Sequence, residues 1–412
     1  MPFFARGLRA SIPAGWADRR LRAIALAVAA AVAVELRTPA QPLFDFCTYY
    51  AAGTLVRDGE PAAAYDSIRL KQRHQELHPG PRGVGPFFYS PLYLLPSAAF
   101  ARWPLPAADR LNRWLGVFCL GAGLAFVLLR LETARGQFAA AAAFVLAHPV
   151  WVQLIYGNWT FVLFALLAAA WWLERRGHER AAAIAWALAV HLKLYALFGL
   201  AALAVAGRRR LLVRTATAWL ALALFALPWS GVESYRSYLS DLYAASAAGL
   251  TPFYNQVSLQ ATVARFASEP RAWLAPRGPI EIPGLEWLFA AGLAVLVLGA
   301  ARLRRAPEAA LAFALAWTLL FVPQIWDHSE ILLFLLLPAL TPRHAIAIGA
   351  LLAASVVYNA YLQPLLGATL AGETSPTAMR MLLLYFPSLN LLALAAALAA
   401  GERPAAPAPD RA

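Results

Sequence analysis

The chain has 412 residues, 61% of them hydrophobic and only 14% charged, with a formal net charge of +13. Ordinary soluble domains carry roughly 45–50% apolar and about 25% charged residues, and a chain of this size in water needs a polar skin, so the composition excludes a water-soluble globule. The basic excess does not describe a nucleic-acid binder either, because it is split into short clusters between apolar runs.

In lipid every backbone N–H and C=O must be paired internally, which leaves helices or closed barrels. The apolar runs are Ala/Leu-rich and lack strand-like alternation, so helices are expected. A basic N-terminal stretch precedes the first predicted helix at 22–36, which lacks a convincing small-residue cleavage site and reads as a retained span. A connector over 37–86 follows. Further predicted helices lie at 87–103, 111–131, 138–155, 159–173, 181–192, 194–206 and 211–228. A second long connector covers 231–283, and helices at 284–301, 309–322, 329–341, 344–362 and 381–400 complete the series. With thirteen segments and an even number of crossings, either one of the first three after the long connector is partial or the 138–155 segment breaks at His148-Pro149, where proline removes a backbone donor. With both termini on one side the crossings number about twelve, each of ~20 residues. The expected fold is thus an all-α, polytopic integral membrane bundle forming one domain over 1–401, with a disordered Pro/Ala-rich tail at 402–412.

Charge placement orients the bundle. Arg19, Arg20 and Arg22, then Arg175, Arg176 and Arg180, then Arg208, Arg209, Arg210 and Arg214, then Arg302, Arg304 and Arg305 sit in short connectors, as the positive-inside rule expects of cytoplasmic loops. The two long connectors are nearly charge-balanced and are placed outside the cytoplasm. Acidic residues such as Asp45, Glu174, Glu233, Asp327 and Glu330 fall in connectors or at helix ends, whereas an ion-coupled transporter is expected to carry carboxylates near the midplane. Polar chemistry gathers at the outer edge, at Asp45, Asn158, Asn255-Gln256 and Trp326-Asp327-His328, which suits an amphiphilic substrate whose headgroup lies at the interface. Cys47 and Cys119 make poor disulfide partners, one lying in a connector and the other inside an apolar run.

Asp45 can act as a general base or as the N-cap of the helix that follows it. Lys193 is one of only two lysines and lies in an apolar stretch, where an unpaired ammonium costs at least about 2.5–3.5 kcal/mol; it either faces a phosphate or snorkels. Arg265 is a second phosphate candidate, with an i, i+4 ion pair to Glu269 as its plainer role. His328 beside Asp327 can orient an acceptor or, when protonated, bind a phosphate oxygen. His74 and His78 have helical spacing but lack the His-Glu-x-x-His pattern, so no metal site is expected. Tyr49, Tyr50, Trp229, Tyr235, Tyr238, Tyr243 and Tyr254 form an edge belt from which a few rings can stack on sugars. Asn158-Trp159-Thr160 matches a glycosylation acceptor but stands at a helix start against the membrane, and is discounted.

Several of these residues carry a resemblance. Asp45-Phe46-Cys47-Thr48-Tyr49-Tyr50-Ala51-Ala52-Gly53, with Gly59-Glu60-Pro61 and Tyr65-Asp66, resembles the first outer loop of the polyprenol-phosphate-mannose-dependent mannosyltransferases, glycosyltransferase family 87 of the GT-C fold. Phe88-Tyr89-Ser90-Pro91-Leu92, Gly157-Asn158, His191-Leu192-Lys193-Leu194, Asn255-Gln256-Val257-Ser258 with Arg265, and Trp326-Asp327-His328 follow in the family's order, over about residues 40–345. Ser90 stands where a second proline is common, and Tyr195 lies near a usual proline.

The resemblance implies a GT-C bundle and transfer of a hexose, with mannose favoured, from a polyprenyl-phosphate donor to a glycolipid or glycan. It implies inversion by direct displacement, so one carboxylate, Asp45, suffices as base and no second nucleophilic carboxylate is demanded. His328 joins Asp45 as a catalytic candidate, Lys193 and Arg265 face the donor phosphate, and Tyr89, Asn158, Asn255, Gln256 and Asp327 bind substrate. No cofactor, metal or nucleic acid is expected; the partners are donor, acceptor and bilayer, with the active site on the extracytoplasmic face of the cell membrane. The competing reading from another class is a flippase or transporter of lipid-linked saccharides, which a polar track through the bundle would favour.

Overall fold

A computed structural model describes residues 14–38, 44–77, 85–247, 255–268, 280, 282–323, 325–371 and 384–401. The described chain is all-helical, with 17 α-helices joined by short connectors and 3₁₀ turns. In order these are α1 (Ala14–Arg37), α2 (Phe44–Arg57), α3 (Ser67–Leu77), α4 (Leu94–Phe100), α5 (Leu105–Arg130), α6 (Ala134–Leu146), α7 (His148–Tyr156), α8 (Thr160–Arg175), α9 (Glu179–Leu192), α10 (Ala196–Val205), α11 (Arg209–Ala247), α12 (Leu259–Phe266), α13 (Leu285–Arg302), α14 (Pro307–Phe321), α15 (Leu333–Leu336), α16 (Pro342–Ala371) and α17 (Tyr385–Gly401).

Among the described residues three helices are long and apolar enough to cross a membrane: α5, the Arg209–Tyr243 part of α11, and α13. The α6–α7 pair passes the same test as one unit bent by 47°. This break falls at His148-Pro149, one of the two alternatives the sequence left open, because α6 ends at Ala147 in an extended conformation and Pro149 needs no helical donor in the first turn of α7. The apolar stretches Ala196–Val205, Pro307–Phe321, Pro342–Tyr358 and Tyr385–Gly401 run 10–17 residues, shorter than about 20 residues of straight span. The core is continuous and built from large apolar side chains, with Trp159, Trp186, Trp317, Phe144, Phe164 and Phe334 all essentially inaccessible. α14 packs on α17, α8 on α9, α1 on α5 and α9 on α11.

The two long connectors are more helical than expected. The first contains α2 and α3, with a 3₁₀ turn at Pro61–Tyr65 between them. In α3 the apolar-facing positions Leu70 and His74 are buried, while Arg69 pairs with Glu60 at 3.0 Å and Arg73 with Glu76 at 3.1 Å on the other face. That amphipathic pattern lets a charged segment fold as a helix against the bundle. The second connector begins inside α11, which continues past a non-helical Gly231 to Ala247, and later contains α12. His78, Tyr254, Glu269 and the 402–412 tail lie outside the described residues.

Candidate active site

Asp45 stands in the first turn of α2. The small-residue run that follows fixes how this helix sits. Ala51 and Ala52 are fully buried, and a Cβ on Gly53 would stand 2.1 Å from the backbone oxygen of Ser97. Only glycine lets the backbones of α2 and α4 approach so closely.

Gly157 delivers the partner of Asp45. It ends α7 at φ 65, the left-handed cap that glycine supplies, and turns the chain so that Asn158 faces α2. The Asn158 Oδ1 accepts from the Thr160 N–H at 2.9 Å and from the Thr160 hydroxyl at 2.7 Å. With its oxygen so occupied, the amide presents Nδ2 to Asp45 and donates to Oδ2 at 2.7 Å. The buried Asn158 therefore holds Thr160 at the start of α8 and orients the Asp45 carboxylate together.

Lys193 follows α9 in an extended conformation, with φ −145 and ψ 112. Its ammonium lies 4.6 Å from the centre of the Tyr89 ring, a cation–π contact. The Tyr89 hydroxyl shares a 2.7 Å hydrogen bond with that of Tyr49, and Tyr49 is one helical turn beyond Asp45 on α2. Tyr49 packs in turn on Trp159, with ring centres 4.8 Å apart. Asp45 and Lys193 are thus tied through two tyrosines.

Asn255-Gln256 and Trp326-Asp327-His328 are brought together by a short antiparallel pairing. Gln256 bridges Trp326, the Val257 N–H donates to Ile325 O at 2.8 Å, and the Asp327 N–H donates to Asn255 O at 2.8 Å. Arg265, only 1% exposed, donates from Nη1 to Gln256 O at 2.7 Å and from Nη2 to Thr262 Oγ1 at 3.0 Å. In this structure its guanidinium braces that pairing from α12. The buried Asp327 carboxylate meets His148 Nε2 at 3.3 Å, and Gln153 donates to the His328 carbonyl. Both ring nitrogens of the buried His328 lack a hydrogen-bond partner among the described residues, a state that buried polar groups rarely keep without a ligand or water.

Asp45, Lys193 and His328 lie outside the helices long and apolar enough to cross a membrane. Protein surrounds the half-buried Asp45 carboxylate on most sides. That burial pushes it up to about 6, against the pull of the Asn158 hydrogen bond and the Lys193 charge, with Asp327 adding to the rise. Burial brings Lys193 down to about 8, opposed by Asp45. Burial also takes His328 down to about 4, against the attraction of Asp327 and with Lys193 and His148 adding to the fall. Burial thus favours the neutral form of His328.

The arrangement offers a carboxylate that is ionised above about pH 6 beside an ammonium that stays charged below about pH 8. It can remove a proton at one point and balance a developing anion at another. Three contributors escaped the reading of the sequence as site residues: His148, Ser90 and Tyr65, whose hydroxyl donates to Tyr89 O at 2.9 Å. A histidine next to a proline break in an apolar run was the available signal for His148. Among the described residues no group of three or more His, Cys, Asp or Glu side chains could hold a metal ion. Cys47 and Cys119 are both buried, and neither is in a disulfide among the described residues.

Compared with known proteins, residues 87–323 match the model of glycosyltransferase family 87. A comparison with curated proteins gives no match.

Proposed function

The chain belongs to glycosyltransferase family 87, and from that premise we propose that it moves a hexose, with mannose favoured, from a polyprenyl-phosphate donor to a glycolipid or glycan acceptor. Asp45 takes the proton from the acceptor hydroxyl as its oxygen attacks the anomeric carbon. The bond from that carbon to the phosphate oxygen breaks on the opposite face, so configuration inverts. The electron pair leaves with the polyprenyl phosphate, and Lys193 compensates the growing negative charge. Asp327 and the neutral His328 bind acceptor hydroxyls, while Tyr89, Asn158 and the Asn255-Gln256 segment shape the pocket. Arg265 acts through Gln256, whose carbonyl it holds.

The observation that carries this reading is the linkage of Asp45 to Lys193 through Tyr49 and Tyr89. It couples a base for the acceptor to a cation for the donor within one cluster. The site faces the extracytoplasmic side of a multi-pass bundle of about twelve crossings, since the arginine clusters favour the cytoplasm at the opposite helix ends. Replacement of Asp45 by Asn, at normal protein level, lowers sugar transfer by about 10²–10⁴-fold on this account; near-normal turnover would remove Asp45 from the mechanism.

A further inference from the structure

Four contacts stitch the segment Tyr89–Tyr93 to the end of α9. The Ser90 N–H donates to His191 O at 3.3 Å, Ser90 Oγ meets His191 Nδ1 at 2.9 Å, the Tyr93 hydroxyl donates to Leu188 O at 3.0 Å, and the Lys193 ammonium covers the Tyr89 ring. His191 also reaches a third element. Its Nε2 meets Trp219 O of α11 at 2.9 Å, and its ring stacks on the Trp219 indole with centres 5.0 Å apart at 11°. A carbonyl only accepts, so Nε2 carries a proton; in the neutral ring Nδ1 then accepts from the Ser90 hydroxyl. Both nitrogens are used, and His191 is 1% exposed. Ser90 directly follows Tyr89, and Lys193 lies two positions beyond His191.

Resting on the functional reading above, we infer that His191 is a positioning residue for the donor phosphate: it locks α9, α11 and the Tyr89–Ser90 segment so that Lys193 stays on the Tyr89 ring and points at the phosphate. It touches no substrate itself. An ammonium on a flexible four-carbon stem is a poor anion site unless its ends are fixed, and the geometry supplies that fixing from three directions. The Ser90 side chain belongs to the same device, because its hydroxyl is the Nδ1 partner.

The test measures binding of polyprenyl monophosphate, the donor's leaving group, to purified full-length protein in nanodiscs. His191→Ala weakens binding about tenfold or more, the scale of one well-placed charged contact, while the acceptor KM measured by transfer stays unchanged. His191→Gln, whose amide can reach the Trp219 carbonyl, recovers part of the loss. The same His191→Ala change made on Lys193→Met protein adds less than about twofold, because its effect passes through Lys193. If His191→Ala protein does not fold, Ser90→Ala removes only the Nδ1 partner and shows a smaller loss with the same dependence on Lys193. Losses that multiply independently in the two backgrounds, equal shifts in donor and acceptor KM, or wild-type protein that binds no polyprenyl monophosphate would each overturn the inference. Wild-type protein that shows this binding pattern yet transfers no sugar would strike the functional reading alone and leave the positioning role standing.

Discussion

Asn158 donates from Nδ2 to the Asp45 carboxylate at 2.7 Å while Thr160 holds its Oδ1 from the other side. This bond stabilises the ionised carboxylate and opposes the burial that pushes Asp45 up to about 6. Asp45 must be ionised to act as base, and Lys193, brought down to about 8, must be protonated to meet the phosphate. Activity in wild type should therefore rise with pH through about 6 and fall through about 8. Asn158→Ala removes the stabilising donor, so the acid limb moves to higher pH while the alkaline limb holds. A pH–kcat/KM profile with an unmoved acid limb would separate Asn158 from the ionisation of Asp45.

Lys193→Met keeps bulk and removes charge. Protein level should hold or rise, since an ammonium in apolar surroundings opposes insertion, whereas use of the lipid donor should fall sharply as the leaving phosphate loses its cation. Lys193→Arg should be intermediate, because a planar fork replaces a compact ammonium above the Tyr89 ring. The check is a donor titration at saturating acceptor. Donor kinetics equal to wild type would leave Lys193 as a snorkelling residue.

Gly53→Ala tests how the fold holds Asp45. The new methyl would sit 2.1 Å from the Ser97 carbonyl oxygen, a backbone atom that cannot rotate away. Overpacking of this kind costs about 1–3 kcal/mol. Thermal unfolding in detergent should show a lower Tm together with reduced transfer. Unchanged stability would mean that α2 and α4 do not need their close approach.

Orientation in the bilayer is tested by single cysteines in a background lacking Cys47 and Cys119. Cysteines replacing Glu60 and Ser240 should react with an impermeant thiol reagent in intact cells or spheroplasts. One replacing Arg209 should react only after lysis, because its arginine cluster belongs on the cytoplasmic side. The inverse labelling pattern would reverse the map and the side of the site.

Much of the helical layout was legible in the sequence because apolar length and basic punctuation are local signals. The break before α7 is one example, since a proline announces it; the predicted 138–155 helix became α6 and α7 around Ala147. The helices α2 and α3 were less legible as elements, as charged amphipathic stretches read as connectors until their buried faces are known. The site divides the same way. Asp45, Asn158, Tyr89 and Lys193 were singled out by residue type and order, and the structure brings them into one cluster. Arg265 shows what order alone does not reveal: the direction of a guanidinium, which here turns to the Gln256 carbonyl, depends on the pairing of two segments some 70 residues apart. His148 and His191 were invisible as partners for the same reason, because Asp327, Ser90 and Trp219 reach them only through tertiary packing.

The central claim is tested most directly by transfer itself. Membranes holding the wild-type protein receive radiolabelled polyprenyl-phosphate-mannose, and extracted lipids and glycans are examined for a labelled product. The account predicts a mannosylated product from wild type and a loss of about 10²–10⁴-fold with Asp45→Asn at equal protein level. Translocation of lipid-linked saccharide with no labelled product from wild type would contradict it.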